Sequence, residues 1–404
     1  MQSIRVINKP LMLAISAAVL AMTACGDKSA ETKPATTQTV NSVPVTDIKK
    51  DVTPADVVAN YSNIVHATYE DSAKLAKVLQ EKVNAFVANP TDAGLAEAKA
   101  AWLAAREPYG QSEVFRFYSG PIDSDDGPEG MINAWPLDEA YIDGVKGKPT
   151  AGIINNKKIT LDIETLKKAN ERGGEANVST GYHAIEFLLW GQDFNEAGPG
   201  ARPLKDFIDA PNAERRREYL KLTAALLVEQ LDGLTKEWAS NADNFRAKFE
   251  KDPESLRKIM VGMGALSRAE LAGERMEVAL ASKDQEDEHS CFSDNTHRDI
   301  ITNAQGIQNV WLGSYKRVDG STVSGASLQA LVAKANTAAA EKMTADLSKT
   351  AQLTQAITGP FDQALIKPEG RQQIEAAIAA LKQQAASLVE AAKAVGVDKL
   401  NTEG

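Results

Sequence analysis

The chain has 404 residues, 43% of them hydrophobic, which is enough to bury a sizeable core and, at roughly 100–200 residues per domain, enough for two domains. Its formal net charge of −10 and pI near 5.2 exclude a nucleic-acid partner, because phosphate binding needs clustered Lys and Arg that are missing here. With only Cys25 and Cys291 present, no disulfide forms if Cys25 has another task.

The first 25 residues give Cys25 that task. Arg5 and Lys9 form a positive start, and Leu11 to Met22 is an apolar run too short to span a bilayer comfortably but suited to a signal peptide. Met22-Thr23-Ala24-Cys25 follows and resembles a bacterial lipobox, with Cys25 as the lipidated first residue of the mature chain; the alternative is an ordinary cleavable signal. Gly26 after the cysteine resembles lipoproteins sorted to an outer membrane. Residues 26–52 are rich in Ser, Thr, Lys and Pro, bury too little to repay the entropy of ordering, and read as a tether.

Beyond the tether the pattern is all-α. Segments 55–88, 93–117, 214–240, 253–281, 325–356 and 370–395 repeat apolar residues at three- and four-residue spacing in Ala-, Leu-, Lys-, Glu- and Gln-rich sequence. Thr53-Pro54, Asn89-Pro90-Thr91 and Asp252-Pro253 mark helix starts, and glycine-containing joints at 120–130, 144–152, 173–174, 198–200 and 318–325 mark breaks. The order of pieces in 55–207 is echoed in 212–397, which predicts two four-helix-bundle-like domains, 53–210 and 211–404, with faint duplication and a site at their interface.

Four blocks stand out from generic bundle sequence. In 105–117, Arg106, Tyr109, Glu113 and Arg116 fall at helical steps and form one polar stripe, either a ligand contact or an ion-pair network. In 120–139, Asp123, Asp125 and Asp126 precede Gly127; an EF-hand would need Glu at the twelfth position, where Ala134 stands, so a turn held by Asx hydrogen bonds is the better reading. Residues 181–186 read Gly-Tyr-His-Ala-Ile-Glu, a G-x-H-x-x-E motif in the apolar run that continues to Trp190. On a helix His183 and Glu186 share a face, and burial among large apolar side chains demands that they be paired or ligate a metal. In 289–299, Asp294 and His297 repeat that three-residue spacing in reverse order, and Cys291 reads as a buried small residue.

These blocks, with the lipobox and the helical remainder, resemble the imelysin family, in particular its iron-regulated lipoprotein branch. The resemblance implies an all-helical protein of two bundle-like domains that takes part in bacterial iron acquisition, and it brings a long-standing peptidase label. From the family motif His183 and Glu186 carry over as site residues. Chemistry adds His297, Asp294 and, through its i+4 neighbour Glu70, His66 as metal ligands, with iron the expected metal and zinc the alternative. Arg106, Tyr109, Glu113 and Arg116 complete the candidate ligand-binding set.

A zinc peptidase needs further ligands and a free general base, and H-x-x-E supplies one histidine and one carboxylate; Glu186 would be the catalytic group in that reading. No C-x-x-C-H motif is present for covalent haem. The sequence therefore predicts a lipid-anchored envelope protein that binds iron or an iron complex and hands it to an envelope transporter. A metallopeptidase and a metal-free scaffold are the alternatives.

Overall fold

The computed structural model describes residues 51–403 except 196 and 197, all within a single compact unit spanning 42–404. Cys25, the signal segment and nearly all of the tether expected at 26–52 lie outside the described residues.

Among the described residues eight helices carry the architecture: α1 (Pro54–Ala88), α2 (Asp92–Ser112), α3 (Gly181–Trp190), α4 (Ala213–Glu237), α5 (Ser255–Ala265), α6 (Thr296–Leu312), α7 (Thr337–Ala356) and α8 (Pro368–Ala394). Their starts follow local chemistry. Thr53 caps α1 in a reciprocal capping box with Asp56, with Pro54 at the first helical position, and Thr91 accepts a hydrogen bond from the Gly94 amide at the start of α2. The Asp252 signal acts slightly early: its carboxylate accepts from the Glu254 amide and α5 begins at Ser255. One short antiparallel hairpin, Ser314–Lys316 with Thr322–Ser324, was not foreseen from the helical pattern; the buried Asp71 carboxylate holds it by accepting from Tyr315, Arg317 and the Val318 amide.

α1, α2, α3 and α4 pack on one another, and α5, α6, α7 and α8 form a second group. Residues 213–237 lie beyond the expected boundary at 210 yet pack on α1, so helices on both sides of that boundary build the first group. The groups meet where α2 crosses α6. This crossing is close because Gly110 and Gly306 have no side chain: a Cβ on Gly110 would stand 2.1 Å from Thr302 Oγ1, and one on Gly306 would stand 2.4 Å from the Gln111 carbonyl oxygen. The contact is what brings Arg106 of α2 to Asp299 of α6.

Between α2 and α3 the chain runs through turns and short helices. The first turn is held by Asp123, but its carboxylate accepts from the upstream amides of Phe117, Tyr118 and Gly120 and not from the amide two residues on, as in the expected Asx turn. Further on, buried Asp143 accepts from Arg216 Nε and Nη2 at 2.6 and 2.9 Å and from Arg202 Nη1 at 3.1 Å, tying this region to the start of α4. Burial pushes the Asp143 carboxyl up, but the two guanidiniums outweigh it and hold it below its ordinary value of 3.8. A depressed carboxyl stabilises the fold above its unfolded pKa, and that contribution is lost as pH falls through the folded value. We expect Asp143→Asn to cost about 3 kcal/mol at pH 7. In urea titrations the gap from wild type should narrow as pH drops below about 4; a gap independent of pH would contradict the assignment.

Candidate functional site

α3 is buried along its whole length, and its start is fixed by backbone geometry. Gly181 has φ +84°, and a Cβ there would meet the Ile132 carbonyl oxygen at 2.5 Å, so glycine is required where the motif has it. The helix then presents His183 and Glu186 together, as the three-residue spacing predicts. His183 Nδ1 and Glu186 Oε2 are 3.0 Å apart, and both side chains are fully buried. Glu186 Oε1 accepts from the Ser293 amide at 2.9 Å and from its hydroxyl at 2.6 Å. Burial pushes the Glu186 carboxyl up to about 8 against these two donors, and burial drives the His183 imidazole well below its ordinary value, so the ring is neutral.

When Glu186 is ionised and accepts from Nδ1–H, the lone pair of His183 Nε2 is free; when it is protonated, as its raised pKa favours at neutral pH, its O–H donates to Nδ1 and Nε2 carries the proton, so a metal arriving at Nε2 displaces a proton from the pair. His183 Nε2 is buried without a hydrogen-bond partner. Facing it is a second unit of the same kind: the His289 ring centroid is 4.7 Å from that of His183, and His289 Nδ1 lies 2.9 Å from Asp299 Oδ2. The remaining nitrogen, His289 Nε2, has only a long 3.4 Å contact with the Asn133 amide. Burial also lowers the His289 pKa. Two neutral imidazoles, each oriented from behind by a carboxylate, form the arrangement in which histidines ligate metals. Trp135, its ring 5.2 Å from His183, closes one side.

A polar network supports the pair. Arg106 Nη2 lies 3.1 Å from Asp299 Oδ1, and its Nη1 donates to Asn133 Oδ1 at 2.5 Å; the guanidinium is caged by the rings of Trp102, Tyr109 and Tyr182. Burial raises the Asp299 carboxyl, but Arg106 and the bonds from His289 and Ser290 prevail and hold it far below the usual carboxylate range. Glu113 accepts from Asn133, Arg275 and Arg116; burial is outweighed here too, and its carboxyl is held down to about 2. Arg275 and Glu270 sit on a π-helical segment, Leu266–Glu277, that continues α5, and the wider turn lets these residues, five apart, pair at 2.8 Å.

His289, Asn133 and Trp135 face a cleft of about 330 Å³ that Arg116, Glu129, Glu270 and Arg275 also line. Among the residues expected from sequence, the structure thus unites His183 with Glu186 and puts Arg116 at the cleft, with Arg106 and Glu113 in the network beneath. Tyr109 is buried against Tyr182. His66 lies on α1, 3.5 Å from Glu70 as its spacing implied, and does not line the cleft. His297 and Asp294 do not form the expected side-chain pair: His297 Nδ1 contacts the Asp294 backbone carbonyl, and its ring faces Gly359. Within the 289–299 block it is His289 and Asp299 that reach the site. Cys291 is buried and free. Among the described residues no group of three or more His, Cys, Asp or Glu side chains is arranged to hold a metal ion, so a metal at the histidine pair would take its other ligands from water or from a chelator.

Next to His289, Glu288 is buried with neither oxygen hydrogen-bonded at normal geometry, and burial, then Asp362, push its carboxyl well above 4.5 against the opposing pull of the nearby Thr296 hydroxyl. Glu288→Gln should therefore raise stability at pH 7 by about 1–3 kcal/mol, measured by chemical denaturation. A loss of stability would show that the carboxylate has a favourable partner.

Comparison with known proteins matches this architecture. Iron-regulated protein A of Synechococcus elongatus is 25% identical over 328 residues, covering 76% of this chain and 77% of the relative. A protein of Parabacteroides distasonis assigned as an iron-regulated protein A precursor has a crystal structure with a TM-score of 0.67 at 21% identity, over 86% of this chain and 99% of that one. An imelysin-like protein of Psychrobacter arcticum gives 0.60 at 14% identity, over 86% and 98% of the two chains. These likenesses support the all-α fold. The sequence model of the imelysin family matches residues 65–388, from α1 to α8 and through both histidine units, and the chain belongs to that family.

Proposed function

We propose that this protein binds iron in the cell envelope, holding it at the facing imidazoles of His183 and His289. The observation that carries this reading is the buried, unpartnered Nε2 of His183 packed against His289, which lines the cleft. A polar atom left unpaired in the interior costs about 1–3 kcal/mol, and a bound metal relieves it. Carboxylates behind both rings keep the second nitrogens available to a metal. The name of the Synechococcus relative, an iron-regulated protein, supports iron over other metals that imidazole accepts. Zinc is the competing ion for a pair of histidines.

A metallopeptidase is the second reading that the His183/Glu186 motif raises. A peptidase of this type needs a general base within reach of a metal-bound water. Glu186 has both oxygens engaged, one by His183 and one by Ser293, which favours a positioning role and hence binding over hydrolysis. Upstream, lipidation at Cys25 would anchor the protein at the membrane, facing an envelope iron transporter. No helix among the described residues is long and apolar enough to cross a membrane.

Calorimetric titration of the full-length protein with iron, set beside His289→Ala, tests the reading. We expect one ion per chain in wild type and none in the variant; equal binding by both proteins would contradict it.

A further inference from the structure

The cleft also points to the form in which the metal arrives. We propose that it admits a hydrated divalent cation, ferrous iron in the first instance, and rejects anionic ferric chelates. This deepens, and rests on, the iron-binding reading.

Charge is the first argument. Five carboxylates line the cleft, those of Glu129, Glu171, Glu270, Glu274 and Asp287, against the two guanidiniums of Arg116 and Arg275, which leaves three negative charges in excess. Burial raises the pKa of Glu129 and, with Glu175 nearby, that of Glu171, and even with both groups protonated an excess of one negative charge remains. The arginines have little left to offer an anion. Arg275 gives Nη1 to Asn303, Nη2 to Glu113 and Glu270, and Nε to Glu270. Arg116 gives Nη1 to Glu113 and pairs through Nη2 with Glu129 at 3.2 Å, and only its buried Nε lacks a hydrogen-bond partner. By contrast Glu171, Glu274 and Asp287 have no ion pair with a cationic side chain among the described residues, so their field is uncompensated at the mouth. A narrow acidic mouth concentrates cations and repels carboxylate- or catecholate-bearing complexes.

Donor chemistry and size agree with charge. The cleft wall offers the His289 imidazole, with that of His183 buried behind it at a 4.7 Å ring separation, and among the described residues no cluster of three ligating side chains adds hard oxygen ligands. Imidazole suits a divalent iron, whereas the harder ferric ion asks for oxygen donors. An ion seated on two nitrogens keeps roughly four waters, and six waters at about 30 Å³ each need roughly 180 Å³ on arrival. A cleft of about 330 Å³ accommodates that shell.

The test is anaerobic titration of the full-length protein with ferrous sulfate and, separately, with ferric citrate, in wild type and in the rim variant Glu171→Gln/Glu274→Gln/Asp287→Asn. Glu171 and Glu274 are exposed and Asp287 is half-buried, so the variant should fold, which circular dichroism checks. We expect ferrous iron to bind wild type at least about tenfold more tightly than ferric citrate, and the folded rim variant to lose at least about fivefold in ferrous affinity, with the loss shrinking as salt is raised. Ferric citrate binding as tightly as ferrous iron, or an unchanged preference in the rim variant, would overturn the proposal while leaving iron binding in place. If neither form binds folded wild type, the iron reading fails, and this inference with it.

Discussion

Replacing Arg106 by alanine is expected to lower folding stability by about 3–5 kcal/mol, the largest effect of any single substitution around the site. The guanidinium is 1% exposed, and it satisfies Asp299 and Asn133 at once. Without it Asp299 becomes a buried charge facing only His289, Ser290 and Asn295, and the α2–α6 crossing loses its central polar contact. The stack of Arg106 on Trp102, Tyr109 and Tyr182 adds lost packing to lost charge. Arg298→Ala is the matched control. Arg298 makes a two-pronged pair with Glu107 on the same helices, but the side chains are 34% and 40% exposed, and its removal should cost no more than about 1 kcal/mol. Urea unfolding of both variants checks the contrast, and similar losses would show that the buried network does not hold the two helix groups together.

The second large effect concerns Glu186, which the geometry makes a positioning residue for His183. In Glu186→Gln the two Ser293 donors should retain the amide oxygen, so the amide nitrogen faces His183 Nδ1. His183 Nδ1 then has to accept, the proton sits on Nε2, and the amide, unlike the carboxyl, cannot release a proton to free that lone pair for a metal. We expect iron affinity to fall about 10–100-fold with stability changed by under about 1.5 kcal/mol. His183→Ala should abolish binding outright. Glu186→Asp, which keeps a titratable carboxyl but shortens the arm, should fall between wild type and Glu186→Gln. Calorimetry gives the affinities and thermal unfolding the stabilities; a Gln variant that binds like wild type would mean that Glu186 does not set the tautomer.

Much of this was legible in the sequence, for reasons that separate what was found from what was missed. Long amphipathic helices announce themselves through spacing and caps, and Thr53-Pro54 and Thr91 started α1 and α2 as expected. His183 and Glu186 were found because both lie on one helix, where a three-residue spacing makes one face. The same rule applied to the 289–299 block selected Asp294 and His297. The pair that reaches the site, His289 and Asp299, is ten residues apart, with a turn at 290–294 between the histidine and the helix that carries the aspartate, and no periodicity joins them. Asn133 and Arg275 arrive from other parts of the chain. The pairing of Glu270 with Arg275 was hidden because it depends on a π-helical stretch, and a five-residue spacing means nothing on an ordinary α-helix. The stripe of Arg106, Tyr109, Glu113 and Arg116 was read from helical steps, but the helix ends at Ser112 and Arg116 lies beyond it in extended backbone; Arg106 and Glu113 form buried ion pairs, Tyr109 packs on Tyr182, and of the four Arg116 lines the cleft.

The most direct measurement is a crystal structure of the protein grown or soaked anaerobically with ferrous iron, with diffraction recorded on both sides of the iron absorption edge. We predict one strong anomalous peak between the two rings, about 2.1 Å from both His183 Nε2 and His289 Nε2. A fully loaded crystal with no iron at those nitrogens, or with iron only at His66 or at His297 and Asp294, would contradict the account.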